Sequence, residues 1–347
     1  MGFTELNSVE HYIIHQMTGV NLNIPHGQNE VSEPKPKSFG VQWQFQSPEQ
    51  LGRGVNEVLV ESVLVKALIR LNPEIEANPN LADEVIHKLR AILISVNQVG
   101  LVKANEEFFA WMTGEKTMPF GENNRHVPVN LIDFDDLTRN DYVVTNQFRI
   151  HHRETKIPDV VLMINGIPVV VGEAKTPIRP SVSWLDGAHE VHSIYENTVP
   201  QLFVPNILSF ATEGRELFYG AIRCPLEFWA PWRVEDAQLT RAVGLSGVGA
   251  ELTDLLSPER LLDIMRNFSL FTTNKKKQRI KVIPRFQQYE GANKIIQRVI
   301  EGKVKKGLIW HFQGSGKSLL MVFAAQKLRR AAQLKSPTVI VLVDRTD

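Results

Sequence analysis

The sequence has few of the features of secreted or membrane proteins. Its 347 residues include one cysteine, Cys224, which cannot form a disulfide within the chain. Nothing therefore indicates an oxidising compartment. No apolar run approaches the roughly 18 residues of a membrane-spanning helix, and the first residues lack the basic and apolar blocks of a secretion signal. We therefore expect a cytoplasmic protein with no membrane contact.

Internal repeats and low-complexity tracts are also absent. An apolar fraction of 43% and a charged fraction of 22% are ordinary for a globular protein, and they exclude disordered, collagenous and coiled-coil chains. The length allows about two domains.

The net charge of +1 hides a division along the chain. Residues 1–273 carry 22 Lys and Arg against 34 Asp and Glu, whereas residues 274–347 carry 17 against 4. This asymmetry predicts two domains, residues 1–270 and residues 271–347, and an anionic partner for the basic one. A solvated basic face is the plainer alternative.

Apolar periodicity predicts helices in the first part of the chain, followed by strands. The Asn165-Gly166 pair between two apolar runs indicates a tight hairpin. An α/β fold follows, with strands enclosed by helices. The helices are expected at residues 9–17, 57–71, 81–96, 189–196 and 257–268, and the strands at 142–144, 148–150, 160–164 and 167–171.

Two carboxylates and a lysine stand at the ends of the hairpin strands. Asp159 precedes one strand, while Glu173 and Lys175 close the other, two residues apart and therefore on one face. Carboxylate oxygens and a backbone carbonyl can hold Mg²⁺, which polarises a phosphodiester and activates water. Because the strands are apolar, we interpret Asp159 and Glu173 as metal ligands and Lys175 as a catalytic group, rather than as a solvated hairpin edge.

The register of the hairpin makes this hypothesis testable. If regular pairing follows a two-residue turn at 165–166, Asp159 falls opposite Gly172 and faces away from Glu173. A metal site requires an offset of one residue. We predict that offset, either from a three-residue loop or from a bulge near Pro168 or Gly172.

A glycine-rich loop lies in the basic part of the chain. Residues 307–310 predict a buried strand, residues 311–318 read HFQGSGKS, and residues 319–332 predict a helix. This order is the context of a phosphate-binding loop. Lys317 is expected to reach the β- and γ-phosphates of ATP, and Ser318 to bind Mg²⁺. The predicted nucleotide site comprises Gly314, Ser315, Gly316, Lys317 and Ser318.

The segments beside this loop are less specific. Upstream, Gln288 opens a helix, and its amide suits an adenine edge; an ordinary surface glutamine fits equally well. Downstream, residues 338–343 predict a second apolar strand, after which the sequence ends. Because a P-loop ATPase needs a later acidic strand end, we expect a fragment that binds ATP without turning it over fully.

The carboxylate–lysine set on the hairpin and the glycine-rich loop, in this order, resemble the N-terminal part of the restriction (motor) subunit of type I restriction-modification enzymes. The resemblance is strongest over residues 153–177, 284–292 and 308–321. It implies a PD-(D/E)xK nuclease domain, with a mixed sheet flanked by helices, followed by the first part of a RecA-like domain of a superfamily 2 helicase.

The resemblance also implies roles for individual residues. Asp159 and Glu173 correspond to the metal ligands and Lys175 to the catalytic lysine. Arg285 and Gln288 resemble the adenine-reading motif, and residues 341–345 resemble the start of the next helicase motif.

Two accessory positions of the family pattern are not matched clearly. The family often carries a Gln-x3-Tyr pair after the lysine; Tyr195 fits the tyrosine, but the residue four positions earlier is not glutamine, which leaves His192 or Glu190 as substitutes. An acid on an early helix is also common. Glu10 fits it best and Glu61 less well, and a surface glutamate is the plainer interpretation of each.

The residues and the resemblance together predict a type I site-specific deoxyribonuclease that uses Mg²⁺ and ATP. Its expected partners are double-stranded DNA and the methyltransferase (M) and specificity (S) subunits. A type III-like or repair helicase-nuclease and a nuclease-inactive motor or docking subunit are the alternatives. The acidic residues 1–273 predict that the nuclease part binds DNA poorly by itself.

Overall fold

The computed structural model describes residues 9–23, 41–176, 181–234 and 247–343. One expectation lies partly outside these residues, namely the start of the next helicase motif, of which residues 344–345 are not described. The strands in the described part are β1 (Gln44–Phe45), β2 (Thr117–Met118), β3 (Val127–Pro128), β4 (Tyr142–Asn146), β5 (Ile150–His151), β6 (Thr155–Lys156), β7 (Val160–Ile164), β8 (Ile167–Ala174), β9 (Leu208–Thr212), β10 (Leu217–Gly220), β11 (Ala230–Pro231), β12 (Leu270–Thr273) and β13 (Arg279–Val282).

Helices surround the strands. Those in the described residues are α1 (His11–Thr18), α2 (Glu61–Leu71), α3 (Pro73–Ala77), α4 (Leu81–Val99), α5 (Leu101–Met112), α6 (Trp184–His189), the π-helical turn Glu190–Tyr195, α7 (Glu196–Thr198), α8 (Val248–Leu255), α9 (Pro258–Asn267), α10 (Phe286–Glu301) and α11 (Lys317–Arg330). None of them is long and apolar enough to span a membrane.

A mixed sheet of seven strands organises the first part of the chain, in the order β1-β4-β7-β8-β9-β10-β11. The pairs β1–β4 and β8–β9 are parallel, and the other neighbours are antiparallel. Every residue of β7 and β8 is buried, because helices cover both faces and apolar strands at the centre gain most from that burial. The prediction of an α/β fold with a mixed sheet flanked by helices is confirmed.

Most elements of this part agree with the sequence prediction. The first three predicted helices appear as α1, α2 and α4, and α2 ends at Leu71, ahead of Pro73. The second strand of the hairpin is longer than predicted and extends to Ala174. Helix α5 was not predicted. It begins directly after Gly100, where α4 ends, and it packs against α4.

The hairpin β7–β8 carries the predicted offset. Its turn has two residues with positive φ, Asn165 at 51° and Gly166 at 77°, as a tight hairpin requires. Leu162 pairs with Val170, whereas Met163 pairs with Pro168, so one residue bulges from β8 directly after the proline. The bulge is therefore the correct alternative, and the three-residue loop is wrong. Proline favours this position because it cannot donate to the ladder.

The two strands predicted in the basic part are wrong. Residues 307–310 and 338–343 have no strand structure, and apolar side chains in both segments lie in solvent, with Trp310 88% and Leu342 88% exposed. A parallel strand is stable only beside neighbours that satisfy its backbone hydrogen bonds. Within the described residues, neither segment has such a neighbour.

The hairpin β12–β13 connects the acidic and basic parts of the chain. Arg279 pairs with Glu106 of α5. The fully buried Lys281 donates from Nζ to the backbone oxygen of Asn206 at 2.6 Å and lies 4.0 Å above the Phe109 ring, and burial lowers its pKa well below the usual value. The domain boundary between residues 270 and 271 remains a prediction.

Candidate functional site

The bulge in β8 places Asp159 beside Glu173. Because Val160 pairs with Gly172, the next residues outward, Asp159 and Glu173, lie opposite each other at one end of the hairpin. Asp159 Oδ2 accepts a hydrogen bond of 2.9 Å from the Ala174 N–H. The structure therefore brings together the two carboxylates that regular pairing would have separated.

Lys175 joins this pair on the same face. Its Nζ lies 2.9 Å from Glu173 Oε1, and both side chains are buried, with 10% and 4% exposed. The second oxygen, Glu173 Oε2, is buried and has no hydrogen-bond partner among the described residues. A buried carboxylate oxygen without a partner is costly, so this atom indicates where a cation would bind.

Two residues from the following helical segment complete the cluster. Glu190 Oε2 lies 2.9 Å from Lys175 Nζ. The Tyr195 hydroxyl lies 3.3 Å from Glu173 Oε1 and 3.4 Å from Glu190 Oε2. Of the substitutes considered for the missing glutamine, Glu190 reaches the lysine; His192 bonds its neighbour Ser193 instead.

The charges of the cluster are strongly coupled. Burial, and then the nearby Asp159 charge, raise the pKa of Glu173 well above its usual value. Burial by itself would lower the pKa of Lys175, but the Glu173 and Glu190 carboxylates raise it above the ordinary range. For Glu190, burial would raise the pKa, but its interactions with the neighbouring Glu173 and Lys175 side chains outweigh burial and lower it. Lys175 is therefore a cation, and Glu190 is its ionised partner.

Glu10 reaches the cluster through a second layer of polar side chains. Its oxygens accept hydrogen bonds of 2.7 Å from Asn146 Nδ2 and Gln147 Nε2, and Gln147 Nε2 also lies 3.3 Å from Asp159 Oδ1. Burial, and more weakly the charge of Asp159, raise the pKa of Glu10 to about 7. Glu61 lies elsewhere, because it pairs with Arg90. The early acid next to the cluster is therefore Glu10.

Gln147 also belongs to the cluster, and the sequence pattern does not indicate it. It has a positive φ of 45°, and its backbone N–H donates to the Asp159 oxygen at 3.0 Å, so it holds Asp159 through both main chain and side chain. A non-glycine residue in this conformation is strained and often belongs to a functional site. The only sequence signal was a polar ending, Asn146-Gln147, on an otherwise apolar strand.

The cluster fits a hard divalent cation with few protein ligands. In the described residues no group of three or more His, Cys, Asp or Glu side chains is placed to hold a metal. Asp159 and Glu173 offer two carboxylates, and the unpartnered Glu173 Oε2 is free to bind. Mg²⁺ commonly keeps several waters and takes one or two carboxylates, so this donor set suits it better than a metal that needs a full protein cage.

The glycine-rich loop ends where α11 begins. Gly314 and Gly316 have φ of 82° and 81°, and Gly316 is the residue before the first helical residue, Lys317. Lys317 Nζ bonds the backbone oxygens of residues 311 and 312 at 3.2 and 3.1 Å. Ser318 lies exposed in the first turn. The lysine is therefore the first residue of the helix, so its positive charge and the helix N-terminus can both contact one bound anion.

Gln288 holds the loop from the preceding helix. It is buried, with 2% exposed, so the interpretation as an ordinary surface glutamine is wrong. Its Nε2 bonds the backbone oxygens of Ser315 and Gly316 at 3.3 and 3.1 Å, and its Oε1 accepts from the Arg285 N–H at 2.8 Å. Ser315 Oγ is buried without a hydrogen-bond partner in the described part of the chain.

A cavity of about 490 Å³ adjoins this loop. It is lined on one side by Gln288, Arg285 and Gly316, and on the other by Tyr219 and Arg223 from the sheet-containing part. Its volume is in the usual range for small-molecule and cofactor sites.

Comparisons with known proteins cover the two parts of the chain that contain these residues. Residues 37–227 match the family model described as type I restriction enzyme R protein N terminus (HSDR_N). Residues 287–347 match the model described as SWI2/SNF2 ATPase.

Individual relatives carry related names. The chain is 31% identical over 281 residues to the type I restriction enzyme HindI endonuclease subunit of Haemophilus influenzae. The aligned residues cover 78% of this chain and 26% of that protein. It is 24% identical over 232 residues to the type I restriction enzyme SauMSSORF170P endonuclease subunit of Staphylococcus aureus, which covers 65% of this chain and 23% of that protein. The chain thus spans about a quarter of the length of these relatives.

Proposed function

Because the chain belongs to the family of type I restriction enzyme R protein N termini, we propose that it is the nuclease part of a restriction subunit, followed by the start of its motor. The nuclease part, a PD-(D/E)xK domain, cleaves DNA phosphodiester bonds with Mg²⁺. The start of the motor, the first part of a RecA-like domain, binds ATP. The convergence of Asp159, Glu173 and Lys175, with one buried carboxylate oxygen left unpartnered, carries this proposal.

The residues of the cluster have distinct tasks. Asp159 and Glu173 hold the cation, which when bound supplies polarisation of the phosphodiester and a more acidic water. Lys175 provides a fixed positive charge beside the reacting phosphate and stabilises the charge that develops on its oxygens. Gln147 and the Ala174 N–H fix the orientation of Asp159 before substrate binds.

The loop before α11 is the proposed nucleotide site. Gly314, Ser315 and Gly316 direct backbone N–H groups toward phosphate oxygens, Lys317 contacts the β- and γ-phosphates, and Ser318 helps to hold Mg²⁺. To reach a phosphate, Lys317 exchanges its present bonds to backbone oxygens for the nucleotide. Arg285 and Gln288 line the adjoining cavity, and this cavity is the proposed place of the adenine base.

The whole assembly includes subunits beyond this chain. The acidic balance of residues 1–273 opposes binding to a polyanion, so DNA is delivered by the motor and by methyltransferase (M) and specificity (S) subunits. The chain by itself is then expected to cut DNA weakly or not at all.

The test uses the full-length subunit in its complex, with Asp159→Ala, Lys175→Ala and Lys317→Ala variants. Cleavage is expected to fall at least about 100-fold in the first two, with ATP hydrolysis retained, because each removes a group of the metal-dependent step. Lys317→Ala is expected to lose both ATP hydrolysis and cleavage. Glu61→Ala, which removes a carboxylate outside the cluster, is the matched control. Unchanged cleavage by the Asp159 and Lys175 variants would refute the assignment.

A further inference from the structure

Glu190 and Tyr195 converge on one cluster although they are five residues apart. Glu190 Oε2 lies 2.9 Å from Lys175 Nζ and 3.4 Å from the Tyr195 hydroxyl. In an α-helix of 3.6 residues per turn, residues five apart point roughly 140° away from each other. Regular helical geometry would therefore direct one of the two side chains away from the lysine.

The π-helical turn Glu190–Tyr195 reduces the angle between the two side chains. The N–H of Glu196 donates to the oxygen of Val191, five residues earlier, so the turn holds one residue more than an α-helical turn. Such wide turns inside helices occur often at functional sites. Here the extra residue is accommodated without moving either Glu190 or Tyr195 off the face that meets β8.

Lys175 consequently has two carboxylate partners on different elements. Glu173 on β8 and Glu190 on the π-helical turn each lie 2.9 Å from Nζ. The Glu173 side chain is 4% exposed, whereas that of Glu190 is 35% exposed. In the proposed nuclease site Glu173 must also bind a cation. Lys175 lies on Oε1 of the same carboxylate, next to the unpartnered Oε2, and its charge opposes that binding by repulsion.

We propose that Glu190 is a positioning residue: it holds the Lys175 ammonium group and so leaves the Glu173 carboxylate available to a divalent cation. The inference rests on the proposed nuclease function. Glu190 touches neither the cation nor the DNA; it acts through Lys175. Its negative charge keeps the lysine beside the reaction centre when the Glu173 carboxylate binds the metal.

The test measures Mg²⁺ binding to the full-length subunit by calorimetry, without DNA or nucleotide. Glu190→Ala is expected to weaken Mg²⁺ binding by about 10- to 100-fold, the range usual for groups that act on a metal site from outside its direct ligands. With Lys175→Ala already present, the same change is expected to weaken binding by less than about 3-fold, because the competitor for Glu173 is gone. Glu190→Gln keeps the size of the side chain and is expected to lie between wild type and Glu190→Ala. Ser193→Ala, in the same turn, is the control.

The outcomes separate this inference from the function on which it rests. Equal losses of Mg²⁺ affinity in the wild-type and Lys175→Ala backgrounds would mean that Glu190 acts only through its charge, and would overturn the proposal. Wild-type affinity in Glu190→Ala would overturn it as well. If Glu173→Ala does not alter Mg²⁺ binding, the proposed metal site itself fails and the inference fails with it.

Discussion

The Ala174 N–H donates a 2.9 Å hydrogen bond to Asp159 Oδ2 across the ends of β7 and β8. This bond joins the two halves of the cluster, since Ala174 separates Glu173 from Lys175 in the chain. It depends on the single-residue bulge after Pro168. Because of this bulge the residue opposite Asp159 is Glu173, whereas regular pairing would place Gly172 there. A local irregularity in one strand therefore decides whether this carboxylate pair exists.

Gly172 is expected to tolerate no larger residue. A Cβ at this position would lie 2.1 Å from Phe210 Cζ on the neighbouring strand, and overpacking of this kind costs about 1–3 kcal/mol. Gly172→Ala should lower the free energy of unfolding by that amount, measured by urea denaturation. Gly172→Ala combined with Phe210→Leu should recover part of the loss. Wild-type stability of the single variant would show that Phe210 does not pack as described.

Gly316 is expected to be required for nucleotide binding. It has a φ of 81°, and a Cβ there would lie 2.1 Å from Gln288 Nε2, which bonds the loop. Gly316→Ala should weaken ATP binding at least about 10-fold, because it displaces Gln288 and distorts the phosphate loop. Gly302→Ala is the matched control. Gly302 also has a positive φ, of 64°, but an added Cβ would meet nothing within 4 Å.

Nucleotide titration of both glycine variants gives the comparison. Gly302→Ala should lose stability by about 1 kcal/mol, the strain of an alanine in this conformation, and should bind ATP as wild type does. Equal ATP affinity of the two variants would contradict the role given to Gly316.

Glu196 is expected to make stability depend on pH. It is 1% exposed, its Oε2 accepts from the Arg223 N–H at 2.9 Å, and burial raises its pKa from 4.5 to about 8. A carboxyl whose pKa is raised on folding stabilises the protein below pH 4.5, and that stabilisation is lost as the pH rises through about 8. Glu196→Gln should therefore be more stable than wild type at pH 8, by more than at pH 5.

Denaturant unfolding at several pH values checks this sign. The control is Glu154→Gln, which removes an exposed carboxylate paired with Lys156 and should leave the pH dependence nearly unchanged. A difference between Glu196→Gln and wild type that shrinks as the pH rises would mean that the Glu196 carboxyl is stabilised as an anion in the fold.

Residue type and spacing were enough to identify the candidate residues. Three of the features used are local. Glu173 and Lys175 lie two residues apart, apolar strands separate them from Asp159, and the Asn165-Gly166 pair forms the turn. Local physical chemistry fixes them, because side-chain direction in a strand and positive φ in a tight turn depend on only a few neighbouring residues. The need for an offset also followed from counting residues across the turn.

Tertiary structure decided which accessory groups join the cluster. The sequence favoured Glu10 over Glu61 as the early acid, but only packing places Glu10 beside Gln147 and pairs Glu61 with Arg90. The role of Glu190 likewise depends on a π-helical turn that no periodicity in the sequence indicates. Contacts between residues distant along the chain arise from the packing of whole elements, and a single sequence does not encode them locally.

The same reason explains the error in the basic part. The apolar segments 307–310 and 338–343 have the composition of buried strands, but a strand needs hydrogen-bonded neighbours as well as composition. The sequence by itself determined which residues are candidates for the chemistry and where the hairpin, the glycine-rich loop and several of the helices lie. Only the tertiary structure decided the register of β8, the partners of Lys175 and the lack of strand pairing in the described basic segments, because each depends on which surfaces meet in space.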